Sequence, residues 1–150
     1  MLKGIDPRLS AELLYVLRAM GHGDMLIVAD ANFPAAAVAK QTVHGELLRM
    51  DGATAPEAIG AILSVMPLDT FVEDAAARME VVGDAAAMPI VQQEALAKVK
   101  LAAGADRALI PVERFAFYEL SEQAYAVVQT GERRFYGCFM LRKGVIGPEE

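Results

Sequence analysis

The apolar positions of the chain alternate between two spacings, and the alternation predicts its elements. Leu9, Leu13, Val16, Leu17 and Met20 fall on one helical face, with Ser10 placed to cap the first turn and Gly21 to stop the last. Met25–Ala29 has no polar face, as expected for a central strand covered on both sides. Pro34 and the alanines after it suit a helix start or an irregular turn. Val43–Met50 reads as a partly exposed strand closed by the turn signal Asp51-Gly52. Thr54 or Ala55, ahead of Pro56-Glu57, opens a helix that runs through Met66 and stops at Pro67.

Farther along, Phe71–Val82 sends mixed signals. Its Ala75-Ala76-Ala77 favours helix, while Met79-Glu80-Val81-Val82 ahead of Gly83-Asp84 favours a strand near the end of the stretch. Pro89–Ala103 carries Val91, Leu96, Val99 and Leu101 and ends on Gly104, which predicts a helix; Ala108–Val112 predicts a short strand. Arg114–Ala124 reads as helix. The runs Tyr125–Gln129 and Phe135–Leu141 flank the turn Thr130-Gly131-Glu132 and are expected to pair as a hairpin. Strands alternating with helices argue for one α/β layered domain over residues 1–150, with a mixed sheet flanked by helices and a C-terminal β-hairpin.

Composition narrows the classes of function. A chain of 150 residues is one ordinary domain, but 55% hydrophobic residues against 23% charged is apolar for a monomer of that size. Some of this surface is therefore expected in subunit contacts. A net charge of −6 repels phosphate backbones and anionic lipid, which disfavours nucleic-acid and membrane-surface roles. The single cysteine, Cys138, has no internal disulfide partner and fits a reducing compartment. Met1–Pro7 leads into no signal-like apolar core, and Ala58–Leu68 is too short to span a bilayer, so a soluble cytoplasmic protein is expected.

Candidate chemistry centres on Gly21-His22-Gly23-Asp24 and on Asp30, which follows the apolar strand. His22 reads either as a cation favoured at a helix C-terminus or as an acid/base group that its flanking glycines leave open to ligand. Asp30 reads either as a turn cap or as an acceptor at a strand end, where α/β proteins place ligands. Asp24 reads as a turn residue and His44 as surface. Two isolated histidines and one cysteine give no metal-ligand spacing, and neither a phosphate loop nor a nucleophile elbow occurs. Arg114 beside Phe115, Phe117 and Tyr118 reads as a helix rim. Gly137, within Tyr136-Gly137-Cys138, marks a close approach by a backbone or ligand. A straight Met25–Ala29 strand separates His22 from Asp30, so either the histidine loop folds back or neighbouring chains complete one pocket.

Taken together, several segments resemble the L-fucose mutarotase and D-ribose pyranase family. They are Met1-Leu2-Lys3-Gly4-Ile5, Ala19-Met20-Gly21-His22-Gly23-Asp24, Ala29-Asp30-Ala31-Asn32-Phe33-Pro34-Ala35, Arg114-Phe115-Ala116-Phe117-Tyr118-Glu119, Thr130-Gly131-Glu132 and Lys143-Gly144-Val145. The second and fourth look more like the fucose branch. The resemblance implies a cofactor-free enzyme that interconverts sugar anomers or ring forms, built from α/β subunits assembled into rings, often decamers. It places the catalytic histidine on His22 and substrate contacts on Asp30 and Arg114. The family's Tyr-Gly-Asn falls on Tyr136, Gly137 and Cys138, and Asn32 stands where the fucose branch often has histidine. A thiol is a weak substitute for an amide with two donors and an acceptor. Cys138 therefore also motivates a competing class, a sugar-binding oligomer without catalysis.

Overall fold

The structure is a computed structural model and describes residues 1–149. In chain order the elements are α1 (Ala11–Ala19), β1 (Met25–Ala29), α2 (Ala35–Ala39), β2 (Leu47–Met50), α3 (Ala55–Leu63), β3 (Ala76–Met79), α4 (Ile90–Ala103), β4 (Ile110–Val112), α5 (Arg114–Glu122), β5 (Ala126–Thr130) and β6 (Phe139–Arg142). The strands form one six-stranded sheet in the order β2-β5-β1-β6-β3-β4. Strand β5 lies parallel to β1 and β2, and β3 parallel to β4; β6 runs antiparallel to both β1 and β3.

The caps follow the sequence reading. Ser10 accepts from the Leu13 amide at the start of α1. Thr54 and Glu57 form a reciprocal capping box ahead of α3, with Pro56 in the first turn, where its missing N–H costs nothing. Pro34 opens α2, so the alanine run is helical. The strand expected over Val43–Met50 is confined to Leu47–Met50, because Gly45 takes a φ of +78° and bends the chain before it.

Alternation along the strands sorts the core into two layers. Leu26 and Val28 of β1 face α1, α3 and α4, packing with Leu13, Val16, Ile59, Ile62 and Val99. Ile27 and Ala29 face α2 and α5, packing with Val38, Phe117, Val127 and Met140. Each fully buried branched side chain contributes about 1.5–3 kcal/mol, so the continuous apolar run in β1 anchors both layers. Among the described residues no helix is long and apolar enough to cross a membrane.

The expected C-terminal hairpin does not form. Strands β5 and β6 both pair with β1, which lies between them, and residues 131–138 carry the chain across the end of β1. Gly131, the apparent turn residue, answers to a different constraint. Its amide donates to the Ala53 carbonyl, and a Cβ there would lie 2.1 Å from the Asp51 carbonyl oxygen. The glycine permits a close backbone approach to the turn after β2. Both strands are apolar on both faces, so each is more stable inside the sheet than as one arm of an edge hairpin.

Candidate functional site

The strand directions bring one set of predicted residues together. The C-terminal ends of β1, β3 and β4 and the N-terminal end of β6 share one edge of the sheet, since Val28 pairs with Phe139, Arg78 with Phe139 and Met79 with Val112. A cavity of about 240 Å³ opens there, lined by Asp30, Asn32, Phe33, Met79, Arg114, Tyr118, Phe135, Tyr136 and Cys138. It lies beyond the carboxyl ends of strands, the usual ligand position in α/β sheets.

Asp30 caps a turn and also lines the cavity. It is buried, and its Oδ1 accepts from the amides of Asn32 at 2.9 Å and Phe33 at 3.0 Å, fixing the turn. The turn uses one oxygen, so the carboxylate keeps a second for the cavity. Arg114 opens α5, where Glu113 caps the Phe115 and Ala116 amides. Its guanidinium lies 5.7 Å from the Tyr118 ring centroid, and the neighbouring Tyr118 raises its already high pKa. Tyr118 in turn stacks on Phe33 at 5.4 Å. The cavity thus combines an anion, a forked cation and aromatic faces, a set suited to a polyhydroxylated ring.

The segment between β5 and β6 supplies the remaining wall. Tyr136 and Cys138 line the cavity, whereas Gly137 is not among its lining residues. A Cβ on Gly137 would meet the Glu132 Cγ at 2.8 Å and the Asp30 Cβ at 3.3 Å, so the glycine seats this segment against Asp30. Burial, reinforced by the neighbouring Asp30 carboxylate, pushes the Cys138 thiol well above its ordinary pKa. It therefore faces the cavity as a neutral thiol. Behind it Glu132 is buried and holds Arg134 through two hydrogen bonds of 2.9 Å, which lower the pKa of its carboxyl.

His22 lies elsewhere. Its loop precedes β1 and sits at the opposite edge, tied to the far end of β6 by the bond from the Gly23 amide to the Lys143 carbonyl. With five residues in β1 rising about 3.3 Å each, that strand alone puts roughly 16 Å between the two edges. The loop does not fold back onto the cavity. Nor does His22 cap α1, since Lys143 Nζ donates to the carbonyls of Leu17 and Met20 and supplies the cation there.

Instead, His22 Nε2 lies 3.1 Å from Oδ2 of Asp69, a carboxylate that is 2% exposed. The other Asp69 oxygen accepts from the Phe71 amide at 2.9 Å. Phe71 meets the imidazole edge-on at a centroid separation of 5.5 Å. An ionised Asp69 only accepts, so the proton of a neutral ring sits on Nε2 and the Nδ1 lone pair is left free to take one. The imidazole side chain itself is 46% exposed. Sequence reasoning missed Asp69, which lies 47 residues away along the chain and belongs to no motif. It also did not single out Asn32, Phe33, Met79, Tyr118 and Phe135 as cavity residues; the aromatic run around Arg114 was the available signal for Tyr118.

Known proteins share this architecture. A family model described as the RbsD / FucU transport protein family matches residues 3–146. The fucose mutarotase of Danio rerio is 48% identical over 154 aligned positions, spanning 100% of this chain and 97% of that protein. The crystal structure of FucU from Bifidobacterium longum superposes with a TM-score of 0.85 at 44% identity, covering 97% of this chain and 100% of that one. The fucose mutarotase of Streptococcus pneumoniae, solved in complex with L-fucose, gives a TM-score of 0.86 at 37% identity with the same coverage. The six-stranded mixed sheet, the cavity at its edge and a family match from Lys3 to Ile146 lead to one conclusion: this chain belongs to the RbsD / FucU family.

Proposed function

We propose that the chain is a monosaccharide mutarotase, an isomerase acting at the anomeric carbon of L-fucose or a closely similar sugar. The observation that carries this reading is the cavity formed by Asp30, Arg114, Tyr118, Tyr136 and Cys138, on a chain 48% identical to a fucose mutarotase. Anomer exchange needs no redox step. A proton reaches the ring oxygen as the anomeric hydroxyl loses one, the bond between C1 and the ring oxygen breaks, and an open aldehyde forms. Rotation about the C1–C2 bond followed by reclosure on the other carbonyl face reverses both transfers.

Asp30 accepts from a sugar hydroxyl, Arg114 donates a forked pair of hydrogen bonds, and Tyr136 and Tyr118 cover apolar faces of the ring. Cys138 offers a neutral thiol where an amide would discriminate more sharply between sugars. His22, oriented by Asp69, takes the proton of the anomeric hydroxyl on Nδ1 and delivers it to the ring oxygen, and reclosure runs the same two transfers in reverse. Because His22 faces away from its own chain's cavity, this role requires the histidine edge of one subunit to meet the cavity edge of another; the family resemblance suggests a ring, often a decamer, as the assembly. Exposed aromatics support that arrangement: Phe135 beside the cavity is 75% exposed and Phe71 beside His22 is 71% exposed. A cytoplasmic setting suits the free thiol.

Exchange between L-fucose anomers, followed by saturation-transfer NMR, tests the reading. Wild-type protein should accelerate exchange, and His22→Ala and Asp30→Asn subunits, each impaired alone, should exchange faster when refolded together than either does by itself. Binding of L-fucose without acceleration would make the chain a sugar-binding protein of the same fold; absence of binding to any pentose or 6-deoxyhexose would remove the sugar site altogether.

A further inference from the structure

Tyr136 is the one non-glycine residue with positive φ among the described residues, at +62°. A left-handed backbone is unfavourable for a bulky aromatic residue and persists where its surroundings hold it. Here the holding group is identifiable. Gln92, in the first turn of α4, is completely buried, and its Nε2 donates at 3.1 Å to the Tyr136 carbonyl and at 2.7 Å to the Met79 carbonyl. Both amide hydrogens therefore go to residues that wall the cavity, though Gln92 itself does not reach it.

Gln92 is held from behind by Arg78. The guanidinium Nη1 donates to Gln92 Oε1 at 3.0 Å and to the Ala87 carbonyl, while Nη2 donates to the Ala85 carbonyl at 2.7 Å. Arg78 is 4% exposed and receives no carboxylate in these bonds, which is a costly way to place a cation unless the geometry it enforces is useful. The segment it braces continues to Val82, whose amide donates to the Tyr136 hydroxyl at 3.4 Å. Tyr136 is thus gripped at its carbonyl by Gln92 and at its hydroxyl by the loop that Arg78 ties down.

We infer that Gln92, fixed by Arg78, is a positioning residue that holds Tyr136 in its left-handed conformation and so sets the wall of the sugar cavity. The inference rests on the sugar reading for its kinetic consequence but not for its structural one. Gln92→Glu is the discriminating variant. It keeps the size of the side chain and its acceptor for Arg78, but removes both amide donors and sets a carboxylate against the two carbonyls.

Two readouts test the inference. With the four tyrosines labelled at 13Cα, the Tyr136 resonance should move from a left-handed to an extended backbone shift in Gln92→Glu. The half-saturating L-fucose concentration for exchange should rise about tenfold with kcat little changed, the pattern of lost sugar binding. In a Tyr136→Gly background, where glycine adopts positive φ unaided, Gln92→Glu should raise that concentration no further. A Tyr136 shift that stays left-handed in Gln92→Glu overturns the inference, as does a tenfold effect that survives in Tyr136→Gly. If Gln92→Glu does not fold, Gln92→Met supplies the same comparison with an apolar side chain. A wild-type protein that fails to exchange fucose anomers removes the sugar reading and leaves the 13Cα measurement to decide the positioning role.

Discussion

The two edges of the sheet carry different halves of the candidate chemistry, and they are built differently. The cavity edge gathers residues from the ends of β1, β3 and β6 and the start of α5; Asp30, Glu132 and Cys138 are buried there, while Asn32 and Arg114 stand exposed at the rim. The histidine edge is a single glycine-flanked loop with one buried carboxylate behind an exposed ring. On the proposed reading the first edge binds and orients the sugar, with the Asp30 carboxylate held by its turn before ligand arrives. On the same reading the second edge moves a proton, with one ring nitrogen held by Asp69 and the other open. Neither edge contains both functions, so separating them experimentally is the most direct test of the reading.

The largest effect is expected at the histidine edge. His22→Ala should slow anomer exchange by about 10²–10⁴-fold, the usual worth of a general acid/base group, while L-fucose affinity measured by calorimetry stays close to wild type. A variant that loses affinity instead would place His22 among the binding groups and erase the distinction between the edges. Next in size is Asp30→Asn, which keeps the Oδ1 acceptor for the Asn32 and Phe33 amides but removes the charge. Losing a charge-assisted hydrogen bond of roughly 1.5–3 kcal/mol should weaken L-fucose binding by about 10–100-fold while the melting temperature stays within a few degrees.

A smaller change is expected at Asp69→Asn, where the imidazole loses its anionic anchor. Exchange should slow by about tenfold as the ring loses its fixed orientation, with fucose affinity unaltered. An unchanged exchange rate would reduce Asp69 to a turn residue for Phe71. The smallest effect concerns stability. The hydrogen bonds from Arg134 hold the Glu132 carboxyl below the ordinary carboxylate range. A lowered carboxyl pKa contributes stability that is present above the unfolded-state value and lost as pH falls through the folded-state value. Urea midpoints should therefore decline below about pH 4.5, and Glu132→Gln should flatten that decline while lowering stability at neutral pH. An acid limb as steep as in wild type would assign the decline to other carboxylates.

Much of the scaffold was legible in the linear pattern, because its signals are local. Ser10 and Thr54 cap the helices they precede, and each cap needs only the residues of one turn. Met25–Ala29 forms a central strand because five apolar residues in a row must be covered on both faces. The weak points were local signals that a distant partner overrode. Gly131 carries a turn signature yet is fixed by the Asp51 carbonyl, and the hairpin it suggested is split by β1. Gly137 marked a close approach correctly, but the approaching group is Asp30 and Glu132 within the same chain.

For the chemistry, the sequence by itself determined which residue types were available: one histidine freed by glycines, one carboxylate at the end of a buried strand, one arginine among aromatics and one cysteine near the C-terminus. It also placed an extended β1 between His22 and Asp30, and left open whether the histidine loop folds back or a neighbouring chain completes the pocket. Only the tertiary structure decided the groupings. The antiparallel insertion of β6 beside β1 carries Cys138 and Tyr136 to Asp30, and the parallel pair β3–β4 delivers Met79 and Arg114 to the same edge. The pairing of Leu68 with Lys143 and of the Asp69 amide with the Arg142 carbonyl brings Asp69 to His22 at the other edge. These partnerships depend on strand order and direction, which hydrogen bonds between distant segments establish and which no local periodicity records.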